Sequence, residues 1–185
     1  EEAREERWQP RVSAVGSVMA FQGTIVSTEA DGIVRDIKFQ AGTMVNTTDE
    51  LVQLDVEIEQ AQLRAAEAAA EWARVSFNRA KELFPNKSIP QAELESTDSG
   101  LKQADAQVDN LRAVIAKKTV RAPFAGKLGI RRINVGQFLE KGSPVVSLQA
   151  LDPVYVEFSL PQQRLGDVAE GLTVAVISDA YPGDH

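Results

Sequence analysis

Few side chains in this sequence could carry chemistry, and none is grouped for it. Cysteine is absent, which removes disulfides, thiolate metal sites and a thiolate nucleophile. The single histidine, His185, is the last residue and reads as a chain edge rather than a general base. The acidic pairs Glu57/Glu59 and Asp105/Asp109 fall in helix-like stretches. There they read as solvated faces, not as buried dyads with displaced pKa values. No G-x-S-x-G, P-loop or H-E-x-x-H string occurs. Met19 and Met44 are the only soft ligands left, and both sit in apolar strand-like runs that suggest packing. The expectation is no catalytic, cofactor-binding or metal site.

Composition narrows the function further. The 185 residues carry 27 acidic and 20 basic side chains, a net charge of -7. Nucleic-acid binding needs a basic surface to neutralise phosphates. The longest basic runs here are Lys117-Lys118 and Arg131-Arg132, so a nucleic-acid partner is not expected. No apolar run approaches the roughly 18–20 residues that span a bilayer. The chain opens Glu1-Glu2-Ala3-Arg4-Glu5-Glu6, without a secretion signal, and is expected to be a fragment whose signal or anchor lies elsewhere.

The elements that must position any site come in a repeat. One offset of 94 carries Gly32 onto Gly126 and Gly42 onto Gly136. It also carries Val34 onto Leu128, Val45 onto Leu139, Leu51 onto Val145 and Leu54 onto Leu148. Both copies are short β-like apolar pairs punctuated by glycine, with Gly32, Gly42, Gly126 and Gly136 expected as turn glycines. Neither copy can bury a core alone, so the two are expected to pack as one small sandwich or barrel.

Between the copies the apolar period becomes seven. Val56, Leu63, Ala70 and Phe77 form one seam, with Ala66, Ala73 and Ala80 beside it. Leu94, Leu101, Val108 and Ile115 form another, with Ala104 and Leu111 beside it. This heptad spacing, with a short link, predicts an antiparallel coiled-coil hairpin with arms of about 28 residues, roughly 42 Å. Asp55 is a candidate cap for the first arm, and Pro85 stops it near Phe84. Ser88 with Gln91 has the spacing of a capping box for the second, which Ser99-Gly100 weakens. Outside the repeat, residues 11–27 and Val154 to Ser178, including Val174-Ala175-Val176-Ile177, suggest strands of a further β domain.

These strings resemble the membrane fusion proteins, the periplasmic adaptors of resistance-nodulation-division efflux pumps. The resemblance is carried by Thr119-Val120-Arg121-Ala122-Pro123-Phe124-Ala125-Gly126, by Val135-Gly136-Gln137-Phe138-Leu139 and by Leu151-Asp152-Pro153-Val154-Tyr155-Val156-Glu157-Phe158. Ala30-Asp31-Gly32-Ile33-Val34 and Leu54-Asp55 resemble the first lipoyl half-motif. What it implies is a mixed α and β, elongated multidomain chain. A lipoyl-like β-sandwich (30–55 and 119–149) would be split by an α-helical hairpin (56–118, tip near 84–90). An incomplete, discontinuous β-barrel domain (11–29 and 150–185) would flank it. It also implies a periplasmic, inner-membrane-attached location and no enzymatic activity. The implied partners are an inner-membrane transporter of the resistance-nodulation-division type, an outer-membrane channel, and further copies of the chain, six in the assembled pump.

The family's tip pattern is Arg, then Leu four residues on, then Ser seven further. Arg79 and Leu83 match, whereas the third position is Pro90, with Ser88 two residues before it. The resemblance therefore implies a channel contact formed by Arg79, Leu83, Ser88, Ile89 and Pro90, with Pro90 in place of serine. Hinges are expected near Asp55/Val56, Lys118/Thr119 and Ala150/Leu151, on the expectation that few contacts cross domain junctions. A true lipoyl carrier would show its lysine on the link that the hairpin replaces, so that reading falls away. Adaptors of ATP-driven exporters or type I secretion systems, and of heavy-metal pumps, are the alternatives.

Overall fold

The computed structural model describes residues 12–177. Residue 11 and residues 178–185, the outer ends of the expected β-barrel segments, lie outside them, as does His185. The described elements are β1 (Gly16–Ser27), β2 (Gly32–Ile37), β3 (Met44–Val45), β4 (Glu50–Leu54), α1 (Glu57–Leu83), α2 (Gln91–Lys117), β5 (Thr119–Arg121), β6 (Gly126–Leu128), β7 (Phe138–Leu139) and β8 (Pro144–Phe158). Residues Ala20–Pro153 form one compact unit, and the described segments 12–19 and 154–177 belong to a second.

In the first unit the strands make two four-stranded sheets, ordered β1-β8-β6-β3 and β5-β4-β2-β7. Each sheet takes strands from both copies of the repeat, which is why neither copy could stand alone. The offset of 94 is an approximate two-fold axis. Gly32 pairs with Leu139 and Val45 with Gly126; Val34 pairs with Leu54 and Leu128 with Leu148. Hydrogen bonds exchange in the same way: Gly42 N donates to Leu128 O at 2.9 Å, and Gly136 N to Val34 O at 2.8 Å. Thr48 N donates to Ala122 O and Gly142 N to Thr28 O, both at 2.8 Å. Val26, Val34, Phe39, Leu51, Val52 and Leu54 are buried, and so are their partners Val120, Leu128, Ile133, Val145, Val146 and Leu148.

The four repeat glycines divide into two kinds. Gly42 and Gly136 sit in tight turns with φ of +81° and +82°, as expected. Gly32 and Gly126 do not: they open strands β2 and β6. Gly126 is needed for space rather than for a turn. A Cβ there would run into the Gln149 carbonyl of β8, with its carbon at 2.8 Å.

The hairpin arms are 27 residues each, about 40 Å long. Ala66, Ala70, Val108 and Leu111 are buried between them, with Leu63 and Ala104 packed alongside. Alanine on one arm lets the backbones approach, while Val108 and Leu111 fill the seam. Arg74 reaches Asp105 at 3.3 Å and Arg112 reaches Glu67 at 2.9 Å, so opposite charges meet across the arms in the antiparallel register. Exposed pairs of this kind contribute about 0–1 kcal/mol each. The helix starts differ from expectation in detail. Val56 stands at the N-cap of α1, and the Asp55 carboxylate accepts from Glu57 N at 3.0 Å. The Ser88–Gln91 capping box does not form. Pro90 is the N-cap of α2, and the Gln91 amide instead donates to Glu95 at 2.7 Å. Helix α2 runs unbroken through Ser99-Gly100, where the Ser99 hydroxyl donates to Glu95 O at 2.8 Å.

In the second unit, β1 and β8 supply the strand residues, followed by a 3-10 turn at Gln162–Asp167. Residues 174–177, expected as a strand, adopt no regular element. A strand needs a partner to satisfy its backbone groups, and none of the described residues supplies one.

Candidate functional site: the hairpin tip

The tip is shaped by residues that cannot continue a helix. Helix α1 ends at Leu83 because Pro85 lacks an N–H and its ring opposes a further turn. A single 3-10 turn, Phe84–Asn86, follows, and Lys87 reverses the chain with a left-handed φ of 54°. Lys87 N donates to Phe84 O at 2.9 Å and Ser88 N to Leu83 O at 3.3 Å, which satisfies two end carbonyls. Pro90 then holds an extended backbone, φ −66° and ψ 153°, from which α2 starts.

This turn places the expected contact residues on one tip. Arg79, Leu83, Ser88 and Pro90 are exposed and Ile89 is half-buried. Leu83 and Phe84 expose 40% and 37% of their surface, so an apolar patch sits between Arg79 and the turn. Arg79 makes no ion pair among the described residues; a bond to Glu82, three residues on, does not form. A guanidinium left free beside apolar side chains suits carbonyl oxygens at another protein's helix ends.

A second exposed surface runs along α1. Ile58 and Trp72 expose 71% and 69% of their area and Val75 42%, all on α1. Ile58, Ala65, Trp72 and Arg79 recur every seven residues, offset by two from the seam at Val56, Leu63, Ala70 and Phe77, which is buried or half-buried. Two residues is about 200° around a helix, so this row faces away from α2. The heptad frame already contained it; a tryptophan outside the seam was the signal.

Met19 lies in β1 and Met44 in β3, but they are 50% and 66% exposed rather than packed in a core. Among the described residues, no group of three or more His, Cys, Asp or Glu is placed to hold a metal ion. No described helix is long and apolar enough to cross a membrane.

Residues 55–120 match the family model described as "RND MFP, alpha-helical hairpin domain", that is, the hairpin of resistance-nodulation-division membrane fusion proteins. An uncharacterized protein of Haemophilus influenzae is 31% identical over 183 residues, covering 99% of this chain and 48% of that protein. Multidrug resistance protein MdtA of Proteus mirabilis is 29% identical over 173 residues, covering 85% of this chain and 42% of MdtA. The chain thus spans about half the length of the relatives it matches. In fold it is similar to a MacA-MexA chimera containing the Pseudomonas aeruginosa MexA hairpin, with a TM-score of 0.76. That match is 16% identical and covers 84% of this chain and 57% of the other. The hairpin thus matches that of resistance-nodulation-division membrane fusion proteins, and the chain around it is similar in sequence to a multidrug resistance protein and in fold to a chimera built from two such proteins.

Proposed function

We propose that this chain is the central part of a periplasmic adaptor in a tripartite drug efflux pump. It would link a proton-driven inner-membrane transporter to an outer-membrane channel, without catalysis of its own. The observation that carries the reading is the hairpin, two 27-residue arms with a free arginine and an apolar patch at the tip. A hairpin of this shape offers contact only at its end and along its outer faces. Arg79, Leu83, Ser88, Ile89 and Pro90 form the channel contact in this reading. The outward row with Ile58 and Trp72, together with exposed Val75, supports association with further copies of the chain, six in the assembled pump. The described segments 12–19 and 154–177, which form the second unit, would contribute to a β-barrel domain completed by the rest of the protein. The same reading places the protein in the periplasm, attached to the inner membrane. Organic cargo is favoured by the multidrug name of the Proteus relative.

The test is drug susceptibility of a strain deleted for the full-length gene, complemented with wild type or with Arg79→Asp. Sensitivity to several unrelated organic compounds, restored by wild type and not by the variant at equal expression, is the expected result. Full restoration by Arg79→Asp would remove the tip assignment. Sensitivity to metal salts alone would move the cargo to metals, and no sensitivity would favour an ATP-driven partner.

A further inference from the structure

Several hydrogen bonds cross the hairpin root. The chain leaves β4 at Leu54 and returns at Thr119, and Leu54 N donates to Lys118 O at 2.9 Å across the opening. Asp55 N donates to Ile33 O at 2.8 Å, tying the outgoing strand end to β2. Thr119 Oγ1 donates to Gln53 Oε1 at 2.9 Å. The Lys118 ammonium then crosses the root. It donates to Asp55 O at 3.1 Å and to Glu59 Oε1 at 2.6 Å. The Lys118 and Glu59 side chains are only 14% and 19% exposed, unlike every other ion pair of the described residues. Swinging the hairpin at its root would strip a mostly buried ammonium and carboxylate of their partners, the costly kind of bond to break. The division into compact units agrees: it falls at 19/20 and 153/154, and the hairpin shares a unit with the sandwich.

We propose that Lys118 is a latch that joins α1, α2 and the β4 end into one rigid joint, so that hairpin and sandwich turn together as a single lever. The expectation that the root flexes because few contacts cross it is replaced by a clamped root. The inference does not depend on which proteins the hairpin meets.

The chain has no cysteine, so spin labels can be placed at will. Labels at Glu82→Cys and Lys141→Cys report tip to sandwich, and labels at Arg64→Cys and Glu82→Cys report bending within the hairpin. Position 82 lies 25 residues beyond the start of α1, about 38 Å, so a swing of about 10° at the root moves it by roughly 7 Å. In the otherwise wild-type chain, the tip-to-sandwich distance distribution is expected to be as narrow as the hairpin-internal one. Lys118→Met keeps the aliphatic stem and removes the charge; it is expected to about double the tip-to-sandwich width and leave the internal width unchanged. Glu59→Gln should do the same, and it decides the matter if Lys118→Met does not fold. A tip-to-sandwich distribution already broad without either change overturns the rigid joint. Unchanged widths in folded variants overturn the assignment of the latch to this pair.

Discussion

Replacing Gly126 by alanine tests whether the sandwich is held by close strand approach rather than by turns alone. The new Cβ would meet the Gln149 carbonyl, its carbon at 2.8 Å, and Ala150 N at 3.2 Å. These are backbone atoms of β8, so no side-chain rotation relieves the contact. Strand β6 would have to move off β8, straining the Lys127–Gln149 and Leu128–Leu148 pairs, and Leu128 and Leu148 are buried core residues. Overpacking of this kind costs about 1–3 kcal/mol, and a purely backbone obstacle belongs at the upper end. At about 2–4 °C per kcal/mol for a chain of this size, the melting temperature should fall by roughly 6–12 °C. Gly136→Ala is the comparison. Its φ is +82° with nothing within 4 Å of the new Cβ, so only the left-handed conformation costs. That cost is about 1–2 kcal/mol, reduced by about 0.5–1 because alanine loses less entropy on folding. A fall of roughly 1–4 °C follows. Thermal unfolding followed by circular dichroism reads both. Equal falls, or a larger one for Gly136→Ala, would refute the close-approach argument.

Thr48 has φ of 72°, poor for a β-branched residue, while its two-fold partner Gly142 has φ of 88°. Thr48→Gly should therefore raise stability by about 0.5–1 kcal/mol, read from the urea midpoint at unchanged slope; a loss would show that the threonine side chain matters more than its backbone strain. Glu59 is held below the usual carboxylate range by its hydrogen bond to Lys118, against partial burial and the nearby Asp55 charge. A depressed folded pKa contributes stability above the unfolded value, near 4.3, and loses it as pH falls through the folded value. The stability gap between wild type and Glu59→Gln should thus be constant above about pH 5.5 and shrink below about pH 4 in urea titrations. A gap that persists unchanged to about pH 3 would detach the pair from acid stability.

Much of this fold is legible because two periods are written plainly. The offset of 94 predicted the pairing of Val34 with Leu128 and of Leu54 with Leu148 as equivalent core positions, and both pairs are buried. The heptad seam marked both arms, and the seam residues Ala70, Val108 and Leu111 are buried. What could not be read were contacts that need the register between arms. Glu71–Arg74 and Asp109–Arg112 are ion pairs three residues apart on one helix, as spacing alone allows. The shorter bonds Arg74–Asp105 and Arg112–Glu67 cross the hairpin and follow only from its alignment. The Lys118–Glu59 pair was hidden for the same reason, its members standing 59 positions apart. Gly126 misled because a glycine in a strand and a glycine in a turn look alike until the neighbouring backbone is known.

The two-fold also accounts for how a sandwich can carry a long hairpin without losing its core. Gln53 pairs with Thr119, so the chain leaves and returns at adjacent strands, and any antiparallel excursion can be inserted there. Under the offset of 94, Leu54 corresponds to Leu148 and Thr119 to Ile25. These are the points where β8 runs on and β1 arrives, and those strands are also neighbours in their sheet. The sandwich therefore has two equivalent pairs of chain ends, one joined to the hairpin and one to the flanking segments. Between them lies a core drawn from both copies, with Leu51, Val52 and Leu54 packed in one cluster with Val145, Val146 and Leu148. A force entering through β4 and β5 cannot separate one copy from the other without exposing that shared core, at about 1.5–3 kcal/mol for each large side chain.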